Sequence, residues 1–199
     1  MMDEVLEGYA AAASEGMIAR YEAMSSQQIY APVLDLLPTS PCRVLDIGAG
    51  TGRDAAWLAR QGHTVWAVEP VQELRQAGVI IHSACQIHWM DATLPQLEEV
   101  KGPFDLVILC GVWQHLEEHQ RPQAMASLRR LTAVDGRLIL YLRHGPGAPH
   151  RPVWPIVPEK TIEYAIDEGF RVMRQRRVPS VSFENRAAGV DWTWLVLDC

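Results

Sequence analysis

The chemistry in this chain is concentrated in one stretch and one later residue. Asp46 is followed by three alternating glycines, Gly48, Gly50 and Gly52, and a second acid, Glu69, comes seventeen residues after the last of them. A backbone without Cβ atoms can take positive φ values and let a ligand lie against the main chain. The helix predicted after the turn, from about Asp54 to Arg60, points unpaired N–H groups and a positive dipole end at such a ligand and favours an anionic group there. Glu69 ends the next predicted strand, where an α/β nucleotide site commonly accepts two hydrogen bonds from a ribose diol. A dinucleotide fingerprint needs a third glycine for close helix–strand packing. Arg53 stands at that position, and Asp46 occupies a place usually apolar in a dehydrogenase strand.

The elements that must position these residues follow from periodicity. Strands are predicted at Arg43–Ile47, Thr64–Val68, Gln86–Met90, Phe104–Leu109 and Gly136–Leu142, with helices between them, which is the mark of βαβ units and a parallel sheet. Before them, apolar residues at three- and four-residue spacings predict one helix over 3–23 and a second from a Ser25 or Ser26 cap to Leu37. After the Pro- and Gly-rich loop 143–158 come a helix near Glu159–Glu168 and two strands, Arg171–Val178 and Asp191–Leu197. Their join is too short and polar for a crossover helix, so the two should pair antiparallel. The run 192–197 is apolar enough to be buried on both faces.

A chain of 199 residues with 48% hydrophobic content fits a single domain over 1–199, with 1–40 as a helical lid or cap and 41–199 as a Rossmann-like core. Net charge of −6 gives no basic footprint and argues against a nucleic-acid partner. The crowded Arg171, Arg174, Arg176 and Arg177 read either as such a patch or as charges that keep an edge strand from aggregating. Four scattered cysteines suggest neither a zinc site nor disulfides, so a reduced, cytoplasmic setting is expected. The acidic N-terminus is unlike a signal peptide, and no run is long enough to span a membrane. Nothing here sets an oligomeric state.

The segment Val44–Asp54 with Glu69 resembles the first motif of the class I S-adenosylmethionine (SAM)-dependent methyltransferases: an apolar strand, an acidic residue and Gly-x-Gly-x-Gly. The resemblance runs motif by motif from Pro41 to Leu142 and by layout thereafter. It implies a doubly wound, mostly parallel seven-stranded α/β sheet with an antiparallel C-terminal hairpin, the last strand inserted beside the fifth, and N-terminal helices. It implies SAM as cofactor and S-adenosylhomocysteine (SAH) as product. On this resemblance Asp46 supports the loop and the methionine amino group. Gly48, Ala49, Gly50 and Gly52 present backbone, and Glu69 with Pro70 after it takes the ribose. Asp91 meets the adenine amino group, or else caps a helix, with Trp89, Met90 and Ala92 against the ring. Arg53, with Arg20 as a weaker candidate, either reaches the methionine carboxylate or faces solvent.

The fourth strand's end, implied to face the transferred methyl, brings Cys110, Trp113 and His115 to the reaction zone. The chain has neither the Asn/Asp-Pro-Pro-aromatic signature of nucleic-acid amino methyltransferases nor the Pro-Cys of cytosine-C5 enzymes there, and Cys110 reads as a buried thiol rather than a nucleophile. His115 is the candidate base for a hydroxyl or acidic carbon, the other reading being a histidine satisfied beside Glu118 or His119. Arg143, His144, His150 and Arg151 suggest recognition of a carboxylate or phosphate, or else a solvated loop. Tyr9 and Tyr21 close over the pocket as a lid or belong to the core. The function expected is metal-free methyl transfer to a small-molecule acceptor. The alternatives are a SAM-binding sensor or partner subunit, and an enzyme methylating RNA or protein.

Overall fold

The computed structural model describes residues 2–199 and contains one seven-stranded sheet in the order β3-β2-β1-β4-β5-β7-β6. Strands β1 (Arg43–Ile47), β2 (Thr64–Val68), β3 (Ile87–Met90), β4 (Phe104–Cys110) and β5 (Thr132–His144) run parallel, whereas β7 (Asp191–Asp198) is antiparallel to both β5 and β6 (Arg171–Pro179). This is the expected sheet, with its C-terminal hairpin and with β7 inserted beside β5. The order reverses between β1 and β4, and a crevice opens at the carboxyl ends of strands at such a switch point.

Alternating strand residues feed two cores, one on each face. Leu45, Ile47, Val107, Leu109, Leu138 and Leu140 pack with α6 (Arg121–Leu131) and α7 (Pro158–Asp167) on one side. Val44, Val65, Leu106, Ile108, Ile139 and Trp194 pack with α4 (Arg53–Ala59) and α3 (Ser26–Tyr30) on the other. Covering both faces explains why these strands read as nearly continuous apolar runs. A third cluster joins Met17 and Leu6 of the N-terminal helices to Val71 and Leu74 at α5 (Gln72–Ile81).

Two expectations are corrected. The single helix over 3–23 is two, α1 (Met2–Ala12) and α2 (Glu15–Glu22), because Ser14 takes an extended conformation and its hydroxyl accepts from the Met17 N–H as an N-cap. The helix to Leu37 is α-helical only through Tyr30 and then tightens into a 3-10 turn over 31–36, where Pro32 has no N–H for an i→i−4 bond. The join between β6 and β7, no crossover as expected, carries a short helix, α8 (Phe183–Ala187), capped by Ser182.

On the edge strand β6, Arg174 pairs with Asp35 and Arg177 with Asp191, so two of the four late arginines are tied to neighbouring carboxylates. The four cysteines are free thiols. No helix among the described residues is long and apolar enough to cross a membrane.

Candidate active site

A cavity of about 650 Å³ lies over the carboxyl ends of the central strands, within the size range of small-molecule sites. Its floor is the β1 end and glycine turn. Its roof comes from α1, α2, the β6–β7 join and the loop after β5.

The turn is tied down by backbone bonds from Gly48 N and Ala49 N to the Val68 carbonyl (2.8 and 3.0 Å) and from Gly52 N to that of Ala49 (2.8 Å). Gly50 (φ +58) faces open space, and a Cβ there would meet nothing nearer than the Tyr21 ring at 3.9 Å. Gly52 (φ +79) faces the other way: a Cβ would come within 2.6 Å of the Trp89 indole. Gly78 on α5 presses on the same indole. The expected backbone contact from Gly52 is therefore corrected, since Gly52 packs helix against strand and does not line the cavity.

Glu69 is buried and is the brace of this loop. Its Oε2 accepts from Gly50 N (2.7 Å) and its Oε1 from Val71 N (2.8 Å). Each oxygen keeps a lone pair for a diol. Burial raises its pKa, against the pull of these two backbone donors. Pro70 beside it also lines the cavity.

Asp46 is only 2% exposed, and its Oδ2 has no hydrogen-bond partner among the described residues. Burial, reinforced by the neighbouring Asp54 and Glu69 carboxyls, pushes its pKa well above the usual carboxylate range despite Arg53. A lone buried oxygen in a nest of acids favours a cation, which is the role expected of it toward an amino group. Arg53 lines the same wall, but its guanidinium is bidentate to Asp54 (2.8 and 2.9 Å) and donates to the Tyr21 carbonyl (3.2 Å). It braces α2 over the turn. Arg20 is exposed at the rim. Thr51 donates to Glu22 on α2, whose other oxygen lies 3.3 Å from His82 Nε2, within ion-pair reach though not aligned for a hydrogen bond.

At the far end, His115 Nδ1 lies 2.8 Å from the Pro152 carbonyl and Nε2 lies 3.0 Å from the Tyr9 hydroxyl. A carbonyl only accepts, so Nδ1 carries the proton and Nε2 offers its lone pair to Tyr9. Burial first, and then Arg143 and Arg151, lower the His115 pKa against the Pro152 bond, so the imidazole is neutral at pH 7. Burial also holds the Tyr9 phenol protonated, well above its ordinary range. The alternative partners Glu118 and His119 do not bond His115; His119 sits beside Glu117 instead.

Ala49, Ala92, Cys110, Tyr21 and Arg143 also line the cavity. Burial raises the Cys110 thiol well above its usual pKa, so it stays protonated and is no nucleophile. Three further expected site residues lie away from the cavity. Trp113 is fully buried in the core with its indole N–H on Thr161 Oγ1 (3.2 Å), because the 3-10 turn after Gly111 carries it away from the cavity. Asp91 is largely exposed and bonds Arg75 (2.9 Å) outside the cavity, while Trp89 and Met90 pack inward. His144 bonds Thr193 Oγ1 (2.9 Å) and lies outside as well.

Sequence reasoning missed Gln114, Tyr141, Trp192 and the join residues Ser180, Val181, Ser182, Glu184 and Asn185, all of which line the cavity. They come from segments distant in the chain, and no local spacing announces them.

Residues 44–136 match the family described as a methyltransferase domain. An uncharacterized methyltransferase of Staphylococcus carnosus (strain TM300) is 28% identical over 108 residues, 53% of this chain, and the match spans about half (49%) of that relative's length. Among solved structures, a Burkholderia thailandensis 1,6-didemethyltoxoflavin-N1-methyltransferase, bound to 1,6-didemethyltoxoflavin and SAH, superposes with TM-score 0.77 at 20% identity, covering 98% of this chain and 87% of that one. A TehB-like SAM-dependent methyltransferase of Corynebacterium glutamicum gives TM-score 0.62 at 23% identity, over 84% and 85% of the two chains. Motif, matched domain and strand order agree: residues 44–136 match a methyltransferase domain, and the chain has the fold of the class I SAM-dependent methyltransferases.

Proposed function

We propose that the protein transfers a methyl group from SAM to a small-molecule acceptor. The observation that carries this reading is the unpartnered Asp46 oxygen beside the bare Gly50 backbone and the Glu69 carboxylate. In one cavity they offer a site for an ammonium, a close approach for a chain, and acceptors for a diol. When bound, SAM supplies an electrophilic methyl on a sulfonium. The chain's own contribution is to bind, orient and exclude water, and holding two reactants in register supplies about 7–11 kcal/mol of a barrier.

The Tyr9–His115 pair disposes of the acceptor's proton. As an acceptor oxygen or nitrogen takes the methyl and the sulfur keeps the electron pair of its broken bond, the proton passes to Tyr9 oxygen and the tyrosine's own proton moves to His115 Nε2. The free thiols fit the reduced, cytoplasmic setting expected from sequence. The test is to incubate the protein with labelled SAM and a metabolite extract and to follow SAH formation. Binding of SAM with no turnover across broad acceptor sets would instead make the protein a sensor.

A further inference from the structure

Beyond the space that answers to SAM, the cavity has a second chemically distinct wall. Arg143 at the end of β5 and Arg151 in the loop after it both line it. Neither guanidinium has a carboxylate partner among the described residues, although the chain as a whole is acidic. Arg143 uses only Nη1, on the carbonyls of Pro146 (2.6 Å) and Gly145 (3.5 Å). The Arg151 guanidinium carbon lies 5.1 Å from the centre of the Tyr9 ring, and its Nε is buried without a partner. Both arginines share the cavity with His115 and act to lower its pKa. Two half-buried cations on one cavity, with no carboxylate to pair them, are costly unless an anion joins them.

Two more polar atoms on the cavity's lining residues are buried and unanswered. Gln114 donates its amide N–H to the Gly111 carbonyl, which fixes the amide's orientation and leaves Oε1 with no donor. Trp192 stacks on Tyr141 at 4.2 Å between ring centres, and its Nε1–H has no acceptor. The compartment therefore offers cationic and N–H donors, one strong acceptor, and aromatic walls from Tyr9, Tyr141 and Trp192.

We propose that the methyl acceptor is a small aromatic acid: its carboxylate docks on Arg143 and Arg151, and its protic O–H or N–H group lies between Gln114 Oε1 and the Tyr9–His115 pair. This deepens the methyltransferase reading and rests on it. A carboxylate between two guanidiniums makes charge-assisted bonds that a neutral amide of the same shape cannot match.

The test uses 2-, 3- and 4-hydroxybenzoate and 2- and 4-aminobenzoate, each beside its neutral carboxamide, with binding read by calorimetry at saturating SAH. SAH binding is measured first and alone: its absence removes the cofactor reading, and this one with it. With SAH bound, at least one acid should bind about 10- to 150-fold tighter than its amide. The double variant Arg143→Gln/Arg151→Gln should keep its SAH affinity, which shows that it is folded, and lose that preference. Acids that bind no better than their amides in the wild type, or a preference that survives in the double variant, would overturn the acid pocket and leave the cofactor site standing.

Discussion

The two ends of the cavity are built by opposite strategies. The end proposed for the cofactor is a contiguous eleven-residue stretch, Val44–Asp54, plus one strand-end acid, and backbone does most of the holding, through the Gly48 and Ala49 N–H groups on the Val68 carbonyl and the Gly50 and Val71 N–H groups on Glu69. The end proposed for the acceptor is assembled from α1, the turn after β4, the end of β5 and its loop, and the β6–β7 join, and side chains do the holding. A site made of backbone is insensitive to most substitutions outside its glycines and braces. A site made of side chains from five segments can be re-specified one residue at a time, which is how a shared fold takes on different acceptors.

Separating the two ends by mutation sharpens this contrast. The largest effect is expected from His115→Gln, which should lower turnover about 10²- to 10⁴-fold while SAH affinity, read by calorimetry, is unchanged; an equal loss in both would merge the two ends into one. Glu69→Ala should do the reverse, weakening SAM binding by about 1.5–3 kcal/mol, or roughly 10- to 150-fold, since the Gly50 and Val71 N–H groups lose their acceptor.

Asp46→Asn should weaken SAM binding and yet raise the melting temperature of the free protein at pH 7, by about 1 kcal/mol of stability. The sign follows from linkage: a carboxyl whose folded pKa is raised stabilises the fold while protonated and loses that contribution as pH rises through the folded pKa. A free variant no more stable than wild type at pH 7 would mean that the acid is already comfortable. The smallest and most diagnostic effect is in the pH profile. Because burial lowers the His115 pKa, the acid limb of kcat/KM should fall below the ordinary histidine value of about 6.5. A limb above that value would take His115 out of proton transfer.

The same division decides what could be read in advance. The five parallel strands and the glycine turn were legible because their signals are local: an apolar run, a missing Cβ, a strand-end acid. β5 proved longer than expected, Thr132–His144 against Gly136–Leu142, because Thr132 already pairs with Phe104 on β4, ahead of a register shift that interrupts the strand pattern. Trp113 and His115 are two residues apart and looked equivalent, but a 3-10 turn sends one into the core and the other to the cavity. Asp91 and Arg75 satisfy each other at the rim, a pairing no spacing rule discloses. Arg151 and Gln114 line one cavity because the loop after β5 folds back over the β4 end, with Trp154 N bonded to the Gln114 carbonyl (2.8 Å).

Residue 8 ties these threads together. A side chain on Gly8 would collide with the main-chain carbonyl of His150, so α1 lies directly on the loop that carries Arg151. That contact leaves room at residue 8 for no more than a hydrogen atom. One added methyl, Gly8→Ala, would act as a doorstop, and stopped-flow release of the spent donor should then quicken while its chemistry slows.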